Sequence, residues 1–151
     1  MFPYSRQDIN SKDIKAVLKV LKSDFLTQGP IVPKFEKAVA KKVGSKYAVA
    51  TNSGTSALHI ACMALGLKKG EILWTVSNTF VASANCGRYC GAKIDFVDID
   101  PKTYNICTLD LKKKLIFAKK KKILPKILVV VHFAGQPAEI EKIRNLSRVY
   151  K

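Results

Sequence analysis

The sharpest chemical feature of the sequence is a cluster of small and hydroxyl-bearing residues where an apolar run gives way to a helical pattern. In ATNSGTSAL (50–58) this change falls at Ser53, Gly54, Thr55 and Ser56. Small residues there let the free backbone N–H groups of a first helical turn converge on an anion, which the helix dipole also favours. The pattern predicts an anion-binding turn, without the spacing of the common nucleotide-binding loops. The alternative is that Ser53 or Thr55 only caps the helix.

Two further turns carry side chains that can contact a ligand. Phe80 lies in VSNTFVASAN (76–85), near the start of a helical pattern, where its ring can stack on a flat ligand or pack in the core. His132 follows an apolar run and can act as an acid, a base or a hydrogen-bonding group. A structural role is the alternative for His132, because no carboxylate partner is evident. His59 falls inside a predicted helix and is interpreted as structural.

Metal binding is not expected at either of two candidate clusters. Asp98 and Asp100 offer too few oxygen ligands, and a turn that ends a strand explains them better. Cys86 and Cys90 are spaced to share one helix face, but two thiolates seldom hold zinc without a second pair. No C-x-x-C spacing occurs, so the four cysteines are predicted to be reduced and mostly packed: Cys62, Cys86, Cys90 and Cys107.

These turns belong to a pattern in which strands alternate with helices. Two lead-in helices are predicted at 9–25, with Ser11 as N-cap, and at 34–43, ended by Gly44. The remaining predictions are strands at 46–51, 71–76, 94–99 and 126–132, and helices at 55–66, 79–90, 109–118 and 137–151. Such alternation implies a mostly parallel sheet covered on both faces, so the predicted fold class is doubly wound α/β. We expect a helical lead-in over 1–45 and a larger domain over 46–151.

Composition limits the classes of function. The chain has 151 residues, 48% of them hydrophobic, and a net charge of +16, which is typical of a basic globular domain and excludes a disordered polar chain. The lysine runs at 112–114 and 119–122 have no interleaved aromatic residues, so a solvated surface is favoured over nucleic-acid binding, which remains the alternative. No apolar run reaches the roughly 18 residues of a membrane span, and no signal-peptide pattern opens the chain. A cytoplasmic protein without a membrane partner is therefore expected.

The motifs together resemble one family of enzymes. The matching segments are PYSRQDI (3–9), LTQGPIVPKFEKAVA (26–40), YAVATNSGTSALHIA (47–61), TFVASAN (79–85), GAKIDFVDIDPKTYNI (91–106) and VHFAGQPAEIEKI (131–143). In this order they resemble the amino-terminal part of the DegT/DnrJ/EryC1/StrS family of sugar aminotransferases, which depend on pyridoxal 5'-phosphate (PLP). Within the family the chain is most similar to transaminases that aminate a UDP-linked 4-keto-6-deoxy-N-acetylhexosamine, as in the pseudaminic acid pathway.

The resemblance implies a fold type I enzyme, normally a homodimer, that takes its amino group from glutamate. It places the cofactor phosphate on Gly54, Thr55 and Ser56 and the cofactor ring against Phe80. Near the sugar nucleotide it places Tyr4 and the turn formed by Thr27, Gln28 and Gly29.

The resemblance also implies that two catalytic groups lie beyond Lys151. They are the lysine that forms a Schiff base with the cofactor and the acid that keeps the pyridine nitrogen protonated. The chain is therefore expected to be an incomplete large domain, without the small carboxy-terminal domain, and inactive in transamination by itself. Two alternatives stay open: a non-catalytic relic that binds the cofactor or a sugar nucleotide, and a PLP-dependent sugar dehydratase of the same family.

Overall fold

The structure is a computed structural model that describes residues 5–150. It contains helices α1 (Ser11–Leu21), α2 (Ile31–Val43), α3 (Gly54–Ala64), α4 (Ala82–Tyr89), α5 (Thr108–Lys121) and α6 (Ile140–Val149), and strands β1 (Ile72–Val76), β2 (Lys93–Val97) and β3 (Ile127–Leu128). The described chain forms two compact units, one ending at Ala50 and the other beginning at Thr51. None of the described helices is long and apolar enough to span a membrane.

The first unit contains the two predicted lead-in helices, with different starts. Asn10, not Ser11, caps α1: its Oδ1 accepts from the Lys12 N–H at 2.8 Å, and its own N–H donates to Asp13 Oδ2 at 2.9 Å. Asn is as good an N-cap as Ser, and an acid three residues later completes the capping box. Helix α2 begins at Ile31 and so contains Pro33, which the first turn tolerates because its N–H would have no partner there.

One predicted strand is wrong. Residues 46–50 form no strand, and the side chains of Tyr47 and Val49 are each 75% exposed. Among residues 5–150, the hydrogen bond that joins this segment to another element is one that the Ala50 N–H donates to Glu36 Oε1 at 2.9 Å. A strand exists only when a neighbour completes its ladder, and none of the described strands pairs with this segment. Its apolar composition alone could not reveal that.

The second unit is built on a parallel sheet in the order β2-β1-β3. Its central strand β1 is buried on both faces, which explains its continuous apolar composition. Trp74 and Val76 pack on the layer formed by α5 and α6, whereas Leu73 packs on the layer formed by α3 and α4. Helices therefore cover both faces of a parallel sheet, which confirms the predicted α/β class and doubly wound arrangement.

The last predicted strand is much shorter than its apolar run. Only Ile127 and Leu128 belong to β3, although the Val129 N–H still donates to the Trp74 carbonyl at 2.9 Å. Apolar composition does not show where a ladder stops. Similarly, Pro137 precedes the last helix instead of opening it, because α6 begins at Ile140.

Trp74 is the single tryptophan of the chain and its side chain is 2% exposed. The Lys114 ammonium lies 4.9 Å from the centroid of its ring and forms an ion pair with Asp95 at 2.7 Å. The indole N–H has no hydrogen-bond partner among the described residues. Lys114 therefore belongs to the packing around the central strand and is not a free surface charge.

Gly87 lets α4 approach the sheet closely. A Cβ atom built at this position would lie 2.6 Å from Ile94 Cδ1 and 3.0 Å from Leu73 Cδ1. These distances are shorter than van der Waals contact, so a larger side chain would require the Ile94 and Leu73 side chains, or the helix, to shift. The absence of a side chain at Gly87 thus permits this close approach.

The cysteines are free thiols, and Cys62 and Cys86 are buried between α3, α4 and the sheet. Burial raises the pKa of the Cys62 thiol to about 12, and hydrogen bonding and charge repulsion from Cys86 act in the same direction. Cys86 Sγ itself donates to the Ser83 carbonyl at 3.3 Å. These thiols are packing residues of the core.

We predict that Cys62 in the folded chain reacts with iodoacetamide at pH 8 at least about a thousandfold more slowly than in the unfolded chain. The reason is that the thiolate is the nucleophile, and raising the thiol pKa from 9.0 to about 12 lowers the thiolate fraction by about that factor. Peptide mapping by mass spectrometry, with the chain in concentrated guanidinium chloride as the control, measures the ratio. Equal labelling rates in the two states would contradict the buried position of Cys62.

Candidate functional site

Ser53 caps the start of α3, as the alternative interpretation of the sequence proposed. Its Oγ accepts from the Ser56 N–H at 3.1 Å and lies 2.9 Å from Ser56 Oγ. Ser56 Oγ donates in turn to Asn52 Oδ1 at 2.7 Å. The two serine side chains are therefore hydrogen-bonded within the turn and give it a fixed shape.

The backbone of the same turn keeps free donors. The N–H groups of Gly54 and Thr55 have no hydrogen-bond partner among the described residues, as is usual in a first helical turn. Gly54 is exposed, and a Cβ built there would meet no atom within 4 Å. Free N–H groups at the positive end of a helix dipole are chemically suited to a phosphate.

Phe80 is not part of the core, contrary to the alternative that its residue type suggested. Its side chain is 73% exposed, between the carboxyl end of β1 and the start of α4. The turn around it is held by a hydrogen bond between Thr79 Oγ1 and Ser83 Oγ at 2.9 Å and by one from the Ser83 N–H to the Phe80 carbonyl at 3.0 Å. Phe80 thus presents an aromatic face to solvent at the edge of the sheet where ligands bind in α/β proteins.

Gly54 and Phe80 belong to the same compact unit, in which α3 packs on α4. No hydrogen bond joins residues 53–56 to Phe80 within the described part of the chain, so the structure places them in one unit without linking them directly. The predicted substrate residues lie elsewhere. Thr27, Gln28 and Gly29 are in the first unit, and Tyr4 lies outside the described residues.

The turn at Thr27, Gln28 and Gly29 has an unusual backbone. Gln28 has a φ of +52°, in the left-handed region that residues with a side chain rarely adopt. At Gly29, a Cβ would lie 3.0 Å from Phe25 Cβ, so the turn is tight as well. The role of these residues in binding a sugar nucleotide stays a prediction.

Both histidines make structural contacts. His132 Nδ1 accepts a hydrogen bond from the Ala138 N–H at 3.0 Å, which holds the loop after β3. The His59 ring packs edge-on against Tyr89, with 5.3 Å between ring centroids. Both therefore have the structural roles that the sequence left open for His132 and favoured for His59.

Asn105 is a buried polar residue that sequence reasoning missed. Its side chain is 4% exposed, and it makes two hydrogen bonds to the loop after β3: Oδ1 accepts from the Phe133 N–H at 2.9 Å, and Nδ2 donates to the Gln136 carbonyl at 3.1 Å. The only signal in the sequence was a polar residue beside the apolar Ile106. Its partners lie far along the chain, so no local pattern identifies them.

The acidic residues after β2 form a turn. Asp100 Oδ1 accepts from the N–H groups of Lys102 and Thr103, each at 2.9 Å. These bonds, that of Thr103 first, hold the pKa of the Asp100 carboxyl below its usual range. Within residues 5–150 no group of three His, Cys, Asp or Glu side chains is arranged to hold a metal ion.

Comparison with known proteins identifies the family. The profile of the DegT/DnrJ/EryC1/StrS aminotransferase family matches residues 7–151. The chain belongs to this family. The predicted resemblance is thereby confirmed, and the turn at Gly54 and the exposed Phe80 are features of a DegT-family chain.

Among its relatives is a UDP-4-amino-4,6-dideoxy-N-acetyl-beta-L-altrosamine transaminase from Campylobacter jejuni, 40% identical over 150 residues, which are 99% of this chain and 39% of the relative. The solved structure of Helicobacter pylori PseC, an aminotransferase involved in the biosynthesis of pseudoaminic acid, has a TM-score of 0.85 and 31% identity over 99% of this chain and 39% of PseC. A DegT DnrJ EryC1 StrS aminotransferase from Brucella abortus has a TM-score of 0.84 and 30% identity over 91% of this chain and 37% of its own. The chain thus has the DegT aminotransferase fold and spans about two fifths of the length of these relatives.

Proposed function

We propose that this chain forms the cofactor-binding part of a PLP-dependent aminotransferase that transfers an amino group from glutamate to a nucleotide-linked 4-keto-6-deoxy sugar. The observation that carries the proposal is the free N–H pair of Gly54 and Thr55 at the start of α3, where Gly54 is exposed, in one compact unit with the exposed ring of Phe80. A helix N-terminus suits a phosphate and an exposed aromatic face suits a flat heterocycle. Pyridoxal phosphate has both parts, so the residues present fit it.

In this proposal the chain binds and orients the cofactor. Gly54 and Thr55 donate their N–H groups to the phosphate, and the hydrogen bonds among Asn52, Ser53 and Ser56 keep the turn in the shape that presents them. Phe80 covers one face of the ring and excludes water from it. When bound, the cofactor supplies an electron sink for the carbon that exchanges its amino group.

The substrate is proposed from the relatives. The Campylobacter protein is named for a UDP-4-amino-4,6-dideoxy sugar, and PseC for the biosynthesis of pseudoaminic acid. In this chain we assign contact with the sugar nucleotide to Tyr4 and to the turn at Thr27, Gln28 and Gly29. We also propose a homodimer, and we assign the reactive lysine and the acid at the pyridine nitrogen to sequence outside residues 1–151. The 151 residues alone then bind the cofactor without transaminating.

A titration with pyridoxamine 5'-phosphate tests the cofactor site. The amine form is the better probe because the aldehyde of pyridoxal phosphate condenses with any accessible lysine, and the chain has 23 lysines. We expect saturable binding, followed by the fluorescence of the probe, and much weaker binding of pyridoxamine, which lacks the phosphate. Equal affinity for the two compounds would contradict a phosphate site at α3.

We predict that Phe80→Ala weakens binding of pyridoxamine 5'-phosphate about tenfold, which corresponds to the roughly 1–1.5 kcal/mol of an aromatic stacking contact. The midpoint of thermal unfolding should stay nearly unchanged, because a side chain that is 73% exposed contributes little to the core. Tyr47→Ala is the matched control, since Tyr47 is a 75% exposed aromatic residue of the other unit. Lower stability of Phe80→Ala with normal affinity would instead indicate a packing role.

A further inference from the structure

We propose that Asn105 is a positioning residue that fixes one wall of the cofactor site, the loop of residues 132–136 that follows β3. This inference rests on the proposed cofactor site. Asn105 acts through the loop backbone and does not itself touch the cofactor.

The topology brings the loop and Phe80 to one edge of the sheet. Strands β1 and β3 are parallel neighbours, with Trp74 paired to Leu128. Their carboxyl ends therefore open at the same edge, where β1 leads to Phe80 and β3 leads through Val129, Val130 and Val131 to the loop. In parallel α/β sheets this edge is where ligands bind, so the loop forms a boundary of any ligand site there.

The third strand whose carboxyl end meets this edge is β2, and Asn105 lies in the segment that follows it. Strand β2 lies on the side of β1 away from β3, and the Ile99–Ile106 bridge holds the segment in place. From there the Asn105 amide group bonds both ends of the loop, accepting from the Phe133 N–H and donating to the Gln136 carbonyl. One buried side chain thus joins the segment that follows β2 to the loop that follows β3.

The loop needs such a tie because its backbone is strained. Ala134 has a φ of +50°, and Tyr104, beside Asn105, has a φ of +58°. Residues with side chains persist in this region only where surrounding contacts fix them. The Phe133 and Tyr104 rings pack against each other with 5.8 Å between centroids, and the His132 bond to Ala138 closes the far end of the loop. Asn105 is the buried member of this set, and its two bonds join the loop to the segment that follows β2.

The two bonds of Asn105 require an amide. A leucine of similar size would leave the Phe133 N–H and the Gln136 carbonyl without partners, and an aspartate would accept from Phe133 but could not donate to Gln136 while ionised. The hydrogen-bonding groups of Asn105, and not only its size, are therefore needed to hold the loop conformation.

The test compares the wild-type chain with Asn105→Ala and, as the matched control, Asn145→Ala, which removes an exposed amide on α6. We expect Asn105→Ala to speed hydrogen exchange of the Phe133 and Gln136 amides at least about tenfold, while the β1 amides stay protected. We expect its affinity for pyridoxamine 5'-phosphate to fall about tenfold, because a displaced wall no longer fits the bound ring. Asn145→Ala should change neither quantity.

The possible outcomes separate the two proposals. Faster exchange in the loop with weaker binding supports the positioning role. Faster exchange, or none, with unchanged binding overturns that role and leaves the cofactor site standing. Absence of pyridoxamine 5'-phosphate binding by the wild-type chain overturns the cofactor site and the positioning role together. Where Asn105→Ala does not fold, Asn105→Asp, which keeps the size and the acceptor for Phe133, is measured by the same two readouts.

Discussion

Gly54→Asp is expected to abolish phosphate-dependent binding, with an affinity for pyridoxamine 5'-phosphate at least about 100-fold below that of the wild-type chain. The substitution places a carboxylate where the phosphate would meet the N–H groups of the first turn of α3, and like charges brought together cost several kcal/mol. Gly54 has open space around its Cβ position and a helical backbone, so aspartate fits there without strain. An acid in the first turn also suits the helix dipole, so the loss is not expected to come from unfolding.

The controls for this prediction isolate charge from size. Gly54→Asn adds nearly the same side chain without a negative charge and should lose far less affinity. Pyridoxamine, which lacks the phosphate, should bind the wild-type and Gly54→Asp chains about equally. A Gly54→Asp chain that keeps the wild-type affinity for the phosphorylated compound would place the anion site elsewhere. Direct titration with each compound, with circular dichroism to confirm the fold, gives these answers.

Leu73→Ala is expected to cause the largest loss of stability, about 2–5 kcal/mol of the free energy of unfolding. Leu73 lies in the central strand β1, its side chain is 0% exposed, and it packs in the cluster with Cys62 and Cys86. Removing its outer carbons leaves a cavity between the sheet and α4, which already packs as closely as Gly87 allows. Urea unfolding followed by far-UV circular dichroism measures the loss.

The comparison for Leu73→Ala is Leu65→Ala. Leu65 has the same side chain at the end of α3, where it is 63% exposed, so its truncation should change the free energy of unfolding by no more than about 0.5 kcal/mol. Similar losses for the two variants would contradict the assignment of β1 as the buried central strand.

The features that sequence reasoning found are those that local patterns encode. Helices α1 to α6 follow apolar spacing along the chain, and Gly44 ends α2 in the left-handed conformation expected of a C-cap, with a φ of +67°. Strands depend on partners far along the chain. The segment 46–51 has the composition of a strand but no described neighbour, and β3 stops after two residues within a longer apolar run. Apolar composition does not report which strands pair, because a ladder is a property of pairs.

The same distinction applies to the candidate site. Gly54 and Phe80 were identified as candidates because each lies at a turn between a strand pattern and a helix pattern, and the family resemblance then assigned them to the cofactor. Asn105 was not, because its hydrogen bonds join residues 28 and 31 positions apart. The capping role of Ser53 was weighed as an alternative to anion binding, and the structure shows that one turn has both parts: side chains that cap it and backbone N–H groups that remain free.

The single tryptophan gives the chain a built-in optical reporter. Trp74 is buried against α5 and α6, beside the Lys114 ammonium, so its emission should be blue-shifted in the folded chain and move to longer wavelength when that layer opens. The adjacent Leu73 faces the opposite layer. Indole emission therefore reports on one side of the sheet. The midpoint of unfolding that it measures in a Leu73→Ala chain shows whether a defect on one side of the sheet affects the other side.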